Sequence, residues 1–178
     1  MHINGKYRLA CETQILELNA EMITIQPLGH LQVLRDLIVD FTPFYKNYSR
    51  IKPYLVEKEP VPEKEYIQIP EERNKIGNTI DCILCGACFG ACLTVGTNDA
   101  YLGPSALLKA ERFLSDSRDN MEDERLKIVN LPKGTQPCRG DFKDEKKDFT
   151  KDNSIIFTFS LPLLLFLKSL YLKLSLHC

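Results

Sequence analysis

The sequence predicts an α+β fold in three parts along its 178 residues. Residues 1–30 contain short β-prone runs, MHI, YRLA and MITIQPL, which are separated by turn-forming residues. Residues 31–130 combine helical spacing of apolar side chains with a dense group of cysteines. From residue 131 the composition becomes first charged and then strongly apolar. We therefore expect folded domains at 1–30 and 31–130, followed by a divergent tail at 131–178.

The first part begins with a hairpin signal. Asn4-Gly5 favours a tight turn between antiparallel strands, because both residue types tolerate the positive φ that such turns require. We predict strands on both sides of this turn. A further β-prone run starts at Met22.

The second part begins with apolar residues at steps of three and four from His30 onward, which predicts one face of a helix. The residues on this face are Leu34, Leu37, Ile38, Phe41, Tyr45 and Tyr48. Pro43 leaves two alternatives: it kinks this helix, or it starts a second helix with Thr42 as the cap. Residues 52–77 carry four prolines and many charges, which predicts an irregular surface connection.

Another helix is predicted to begin at Gly103-Pro104, because proline is well accepted in the first helical turn. Its apolar face is set by Leu107, Ala110 or Glu111, and Leu114. On the opposite, solvated face we expect Lys109, Glu111 and Arg112.

The bulk charge and the cysteine count restrict the function. A net charge of −1 gives no basis for nucleic-acid binding. Seven cysteines is an odd number, and residues 1–10 lack the apolar core of a secretory signal. We therefore expect a reducing compartment, in which clustered cysteines usually bind metal.

The cysteines at 82–92 carry the most specific chemistry in the chain. Cys82, Cys85, Cys88 and Cys92 form a C-x2-C-x2-C-x3-C run, the spacing of bacterial ferredoxins. In that arrangement the first three thiolates bind one cluster and the fourth binds another. Structural zinc is the main alternative, although zinc sites usually draw ligand pairs from two separated segments. The ferredoxin run ends in Cys-Pro, whereas Leu93 follows Cys92 here.

Four stretches, taken together and in this order, resemble the iron–sulfur subunit of succinate dehydrogenase and fumarate reductase. They are ING…LAC, VLRDLIVDFTPFYKNYSRIKPYL, CILCGACFGAC and AYLGPSALLKAERFLSDSRD, and they cover roughly residues 1–130. The resemblance implies a β-grasp, plant-ferredoxin-like domain for [2Fe–2S], of which residues 1–30 are a remnant. It also implies an α-helical, bacterial-ferredoxin-like domain for [4Fe–4S] and [3Fe–4S].

The same resemblance implies the function. Such a subunit relays electrons between a flavoprotein subunit, which interconverts succinate and fumarate, and quinone at membrane anchor subunits. It has no substrate site of its own. We expect a peripheral location on the cytoplasmic face of the cell membrane, through the partner subunits, and no nucleic-acid partner.

The resemblance also assigns ligands. Cys82, Cys85 and Cys88 correspond to ligands of [4Fe–4S], and Cys92 to a ligand of [3Fe–4S]. Cys11 corresponds to the fourth [2Fe–2S] ligand, whose three partners would precede Met1, so that Met1 would be an internal methionine. Cys138 lies where a second cysteine group should begin, and Cys178 has no counterpart. A shifted reading frame near residue 130 would explain both departures.

Two further hypotheses remain open on the sequence. The chain is alternatively a metal-binding or structural remnant that docks to partner subunits without conducting electrons. A third hypothesis attaches the chain to a membrane through its apolar tail, although the uninterrupted apolar stretch 155–167 is shorter than a bilayer span.

Overall fold

The computed structural model describes residues 1–130 and Gly134. Cys138, Cys178 and the rest of the predicted tail lie outside the described residues. The first strands are β1 (His2–Ile3), β2 (Lys6–Tyr7) and β3 (Ile25–Gln26). They form an antiparallel sheet in the order β2-β1-β3. A 3₁₀ turn at Ile15–Leu18 lies between β2 and β3.

The predicted hairpin turn at Asn4-Gly5 is confirmed. Asn4 has φ 46° and Gly5 has φ 80°, the left-handed values that a two-residue hairpin turn requires. Asn4 also holds β3 in place, since its side-chain oxygen accepts a hydrogen bond from the Thr24 amide at 2.8 Å. The Asn4 amide in turn donates to the Thr24 carbonyl at 3.0 Å.

The helix predicted from His30 is wrong for its first turns. The chain forms a second hairpin there, β4 (Val33–Arg35) with β5 (Ile38–Val39). Asp36 turns the chain with φ 52°, and β-branched residues fill most of β5. Leu34 and Ile38, expected on a buried face, are both 62% exposed. The three-and-four spacing in this stretch therefore does not reflect a buried helical face.

The second alternative at Pro43 is confirmed: α1 (Thr42–Arg50) is a new helix with Pro43 in its first turn. Thr42 is the first helical residue rather than the cap, a position taken by Phe41. The Asp40 carboxylate accepts the Thr42 amide hydrogen at 2.8 Å. Hydrogen bonding to the Thr42 side chain and then to its amide lowers the pKa of Asp40, and the amide bond satisfies one of the free donors at the helix start.

The connection predicted at 52–77 is irregular only as far as Ile69. Helix α2 (Pro70–Ile80) begins inside it, with Pro70 in the first turn and two glutamates that favour a helix N-terminus. The helix buries Ile76 and Thr79 and packs against α5. Pro70 therefore marks the start of a helix and not a continuation of the irregular connection.

The remaining helices are α3 (Ala87–Gly90), α4 (Leu93–Thr97), α5 (Pro104–Leu114) and α6 (Glu122–Asn130). The predicted start of α5 is confirmed, with Gly103 at φ 86° immediately before it. In the described part of the chain, none of the helices combines the length and apolar character needed to cross a membrane.

The solvated face predicted for α5 is wrong. Lys109 is only 8% exposed, and Glu111 and Arg112 are partly buried. Helix α5 is packed against α1, α2, α3 and α6, so little of its circumference faces water. Its buried side chains join a core formed mainly by Phe44, Ile51, Phe89, Tyr101, Leu102 and Val129.

The buried Arg125–Asp119 ion pair fastens the irregular connection to this core. The Arg125 side chain is fully buried and its guanidinium binds the Asp119 carboxylate. It also donates to the carbonyls of Ile51 at 3.2 Å, Lys52 at 3.1 Å and Tyr54 at 2.7 Å. Every side of the guanidinium is thus occupied, as burial of a charge demands.

Asp119 extends the same network. Its carboxylate accepts hydrogen bonds from the amides of Val56 at 3.1 Å and Met121 at 2.9 Å. The Arg125 guanidinium also lies 4.6 Å from the centroid of the Phe113 ring. A single ion pair therefore joins the connection after α1 to α5 and α6.

Replacement of Arg125 should be strongly destabilising. In Arg125→Leu the buried Asp119 carboxylate and three carbonyls lose their donor, so we expect the free energy of unfolding to fall by about 3–5 kcal/mol. Urea denaturation measures the change. The control is Lys127→Leu, an exposed lysine of the same helix, for which we expect a change within about 0.5 kcal/mol. Equal effects of the two substitutions would contradict the role assigned to the ion pair.

Candidate metal centre

The four clustered cysteines lie on one turn-rich segment between α2 and α4, which we call the cysteine loop (residues 81–92). Helix α2 ends at Ile80, and Cys82 follows two residues later. Cys88 lies within the short helix α3, and Cys92 immediately precedes α4. The loop therefore starts and ends on helices that are packed into the domain.

Two left-handed residues bend the cysteine loop sharply. Leu84 has φ 57° and Gly86 has φ 76°. A β-carbon at Gly86 would lie 2.9 Å from Cε1 of Phe41 and 3.3 Å from Cδ1 of Leu28. Glycine is required at this position for two reasons, because the backbone is left-handed and because the space is already filled.

The loop is also fixed by the helix that follows the bend. The Gly86 carbonyl accepts hydrogen bonds from the amides of Phe89 at 3.1 Å and Gly90 at 2.9 Å. The Phe89 ring is 3% exposed and meets Phe44 of α1 edge to face, with centroids 5.5 Å apart. Core packing on α1 thus holds the cysteine loop in its bent form.

The four cysteines of the loop occupy two kinds of environment. Cys85 is exposed, and Cys82 and Cys88 are partly buried at the same bend. Cys92 is 2% exposed and belongs to the hydrophobic core. The first three thiols are therefore placed differently from the fourth.

Electrostatics links the first three thiols. Burial and, to a smaller extent, the like charge of the neighbouring Cys82 and Cys85 together raise the pKa of Cys88 to about 12. The Cys88 thiol is consequently neutral at physiological pH without a metal. Metal binding to such a thiol displaces its proton.

Tyr48 and Lys109, outside the loop, lie near Cys82, and Arg112 lies near both of them; the sequence did not identify any of the three as site residues. Burial raises the pKa of Tyr48, and the charge of Cys82 acts in the same direction. Burial lowers the pKa of Lys109, while the charge of Cys82 opposes that change. One terminal nitrogen of Arg112 is buried without a hydrogen-bond partner. In the sequence, the only indication that Lys109 is buried was its position next to Ala110, a residue of the predicted apolar face.

The donor set of the loop fits an iron–sulfur cluster in part. Three thiols lie around a bend whose backbone is held rigid, and a cluster distributes its thiolates over different iron atoms. In residues 1–130 and Gly134, no group of three His, Cys, Asp or Glu side chains is arranged to hold a single metal ion. Within that same part, the bend of the loop carries three thiols, those of Cys82, Cys85 and Cys88.

Cys11 lies apart from the loop in sequence, and its thiol is exposed. It follows β2 in a turn closed by bonds from the Glu12 and Thr13 amides to the Leu9 carbonyl, at 3.2 and 3.0 Å. It is the only cysteine of the printed sequence before Cys82. By itself it supplies one thiolate, whereas a [2Fe–2S] cluster needs four.

Comparison with known proteins agrees with this chemistry. Residues 1–46 match the family of the 2Fe-2S iron-sulfur cluster binding domain. The succinate dehydrogenase iron–sulfur subunit of Coxiella burnetii is 43% identical over 140 residues, which are 78% of this chain and 59% of the relative. The chain is thus homologous to succinate dehydrogenase iron–sulfur subunits. The resemblance recognised in the sequence is confirmed.

Two other relatives extend this finding. The succinate dehydrogenase iron–sulfur subunit of Paracoccus denitrificans is 40% identical over 133 residues, covering 74% of this chain and 51% of the relative. Iron–sulfur subunit 1 of mitochondrial succinate dehydrogenase (ubiquinone) from Oryza sativa is 42% identical over 133 residues, which are 73% of this chain and 47% of the relative. The chain spans about half the length of the curated relatives it matches.

The two glycines near the loop should respond oppositely to alanine. Gly86→Ala places a β-carbon at a left-handed residue and against Phe41, so the free energy of unfolding should fall by at least about 1–2 kcal/mol. At Gly77, in α2, a β-carbon would have no atom within 4 Å, so Gly77→Ala should raise the free energy of unfolding by about 0.5–1 kcal/mol. Urea denaturation measures both changes. Stabilisation by Gly86→Ala would show that the bend does not require glycine.

Proposed function

We propose that this chain is an iron–sulfur electron-transfer subunit of a succinate:quinone oxidoreductase or fumarate reductase. The observation that supports the proposal is the bent loop on which Cys82 and Cys85 lie close enough to Cys88 to raise its pKa, in a chain homologous to such subunits. In this role the chain passes electrons between a flavoprotein subunit and quinone, without binding succinate or fumarate itself.

The cysteines would divide between centres as follows. Cys82, Cys85 and Cys88 supply three thiolates to [4Fe–4S], and the separately placed Cys92 supplies one to [3Fe–4S]. Cys11 is the counterpart of one [2Fe–2S] ligand. Cys138 is a candidate for completing a helical-domain cluster, and it lies outside the described residues.

When bound, an iron–sulfur centre accepts and releases single electrons. The chain contributes the surroundings of that centre. Phe41 and Leu28 cover the bend at Gly86, and Phe89 is buried in the adjoining helix α3, so this side of the loop is packed against apolar side chains. Burial of this kind and the charges nearby set the reduction potential of the centre.

The proposal includes partners and a location. The chain would assemble with a flavoprotein subunit and with membrane anchor subunits, as its resemblance to the family implies. It would lie at the membrane surface through those partners, on the cytoplasmic side. Exposed apolar side chains beside the cysteine loop, Ile83 at 69% and Leu93 at 67%, are available for such contacts.

The second candidate is a chain that docks to partner subunits without conducting electrons. The number of thiols favours it, because the described residues provide three at the loop bend, one at Cys92 and one at Cys11. None of the three centres is completed within that part of the molecule. Cluster content decides between the two candidates.

Single replacement of Cys82, Cys85 or Cys88 by serine should abolish the cluster. After anaerobic reconstitution of the full chain, we expect each variant to lose the broad visible absorption, together with the bound iron and acid-labile sulfide, because each removes one of the three thiolates at the bend. The matched control is Cys11→Ser, which should retain all three signals.

Two outcomes would decide against the assignment. Full iron and sulfide in all three variants would show that the cysteine loop does not hold the centre. A loss of iron and sulfide in Cys11→Ser equal to that in the loop variants would show that cluster content does not depend specifically on the cysteine loop.

A further inference from the structure

Helix α5 carries a buried lysine directly beneath the cysteine loop. The Lys109 side chain is 8% exposed, and its ammonium donates to the Thr79 carbonyl near the end of α2 at 3.1 Å. A neutral carbonyl does not balance the charge of an ammonium group. Burial of a cation without an opposing charge is costly, so this position calls for an anion nearby.

A second cation lies on the same side of α5. Arg112 is three residues after Lys109, a spacing that places the two side chains next to each other on a helix. One terminal nitrogen of Arg112 is buried and has no acceptor. The guanidinium carbon is 4.3 Å from the Phe113 ring centroid, which accounts for one face of the group but for none of its hydrogen bonds.

Among the described residues, no carboxylate forms a salt bridge with Lys109 or Arg112. Asp81 is exposed and acts on Lys109 less than Cys82 does. Glu111 uses one carboxylate oxygen to accept from the Ser115 hydroxyl at 2.6 Å, and its other oxygen has no partner. Tyr48 of α1, in the same region, has a phenol that is neutral at physiological pH, and burial raises its pKa further, so it supplies no negative charge.

Cys82 is the loop cysteine nearest in the chain to Thr79, whose carbonyl binds the Lys109 ammonium. Among the charged neighbours that act on Lys109, Cys82 has the largest effect. Both Cys82 and Arg112 act on Tyr48, so these groups share one small region between α1, α5 and the cysteine loop. A centre bound through Cys82 would bring negative charge to that region, since its ligands are thiolates.

We propose that Lys109 and Arg112 are charge-compensating residues for the iron–sulfur centre held at Cys82, and that they raise its reduction potential. Reduction adds one electron and makes the centre more negative. Fixed positive charge nearby favours the more negative state, and the free nitrogen of Arg112 can donate to a thiolate or cluster sulfur. This inference rests on the proposed function, because it requires a centre at the loop.

The test is a redox titration of the reconstituted full chain with dithionite and mediators, followed by visible absorption and by the paramagnetic signal of the reduced state. We expect the midpoint potential to become more negative in Lys109→Met and in Arg112→Gln. Lys109→Arg, which keeps the charge, should retain the wild-type potential. Lys75→Gln removes an exposed charge from α2 and should also leave the potential unchanged.

Potentials equal to wild type in both Lys109→Met and Arg112→Gln, at normal iron and sulfide content, would overturn the inference. Loss of the cluster in Lys109→Met with an unshifted potential in Arg112→Gln would also overturn it, since it would show a structural role only. If the proposed function itself is wrong, the unmodified chain will bind no iron and sulfide, which distinguishes that failure from a failure of this inference.

Discussion

The packing of Gly86 against Phe41 and Leu28 is the constraint on which the cysteine loop depends. A left-handed glycine lets the backbone turn back within a few residues, and the phenylalanine ring fills the space that a side chain would need. The bend therefore forms only where the segment after β3, the start of α1 and the loop meet. Thiol placement is consequently a property of the whole domain rather than of the cysteine spacing alone.

Charge placement follows from the same packing. Helix α5 touches α1, α2, α3 and α6, so even its basic residues are drawn inward. Arg125 and Lys109 represent two ways of burying a cation. Arg125 is matched by the Asp119 carboxylate and three carbonyls, whereas the described partner of Lys109 is a single carbonyl. The charge of Arg125 is thus balanced without a ligand, whereas that of Lys109 is not. For this reason we assign Lys109 a role toward a bound anionic centre.

The sequence predicted those features that depend on local chemistry. The Asn4-Gly5 turn and the start of α5 at proline followed from backbone rules, and the start of α1 was one of two alternatives left open at Pro43. Homology confirmed the resemblance recognised from the motifs. The hairpin at 33–39 was missed because its apolar residues happen to have helical spacing while remaining exposed. Burial of Lys109 was missed because it depends on four neighbouring helices, which no single-helix pattern reveals.

The most direct test of the account is X-ray absorption at the iron edge on the reconstituted full chain. A cluster contains several irons bridged by sulfide, so we predict both iron–sulfur and iron–iron scattering, with both lost in Cys88→Ser. A metal bound by sulfur ligands without iron–iron scattering would contradict the account, since it would show an isolated ion in place of an electron-transfer cluster.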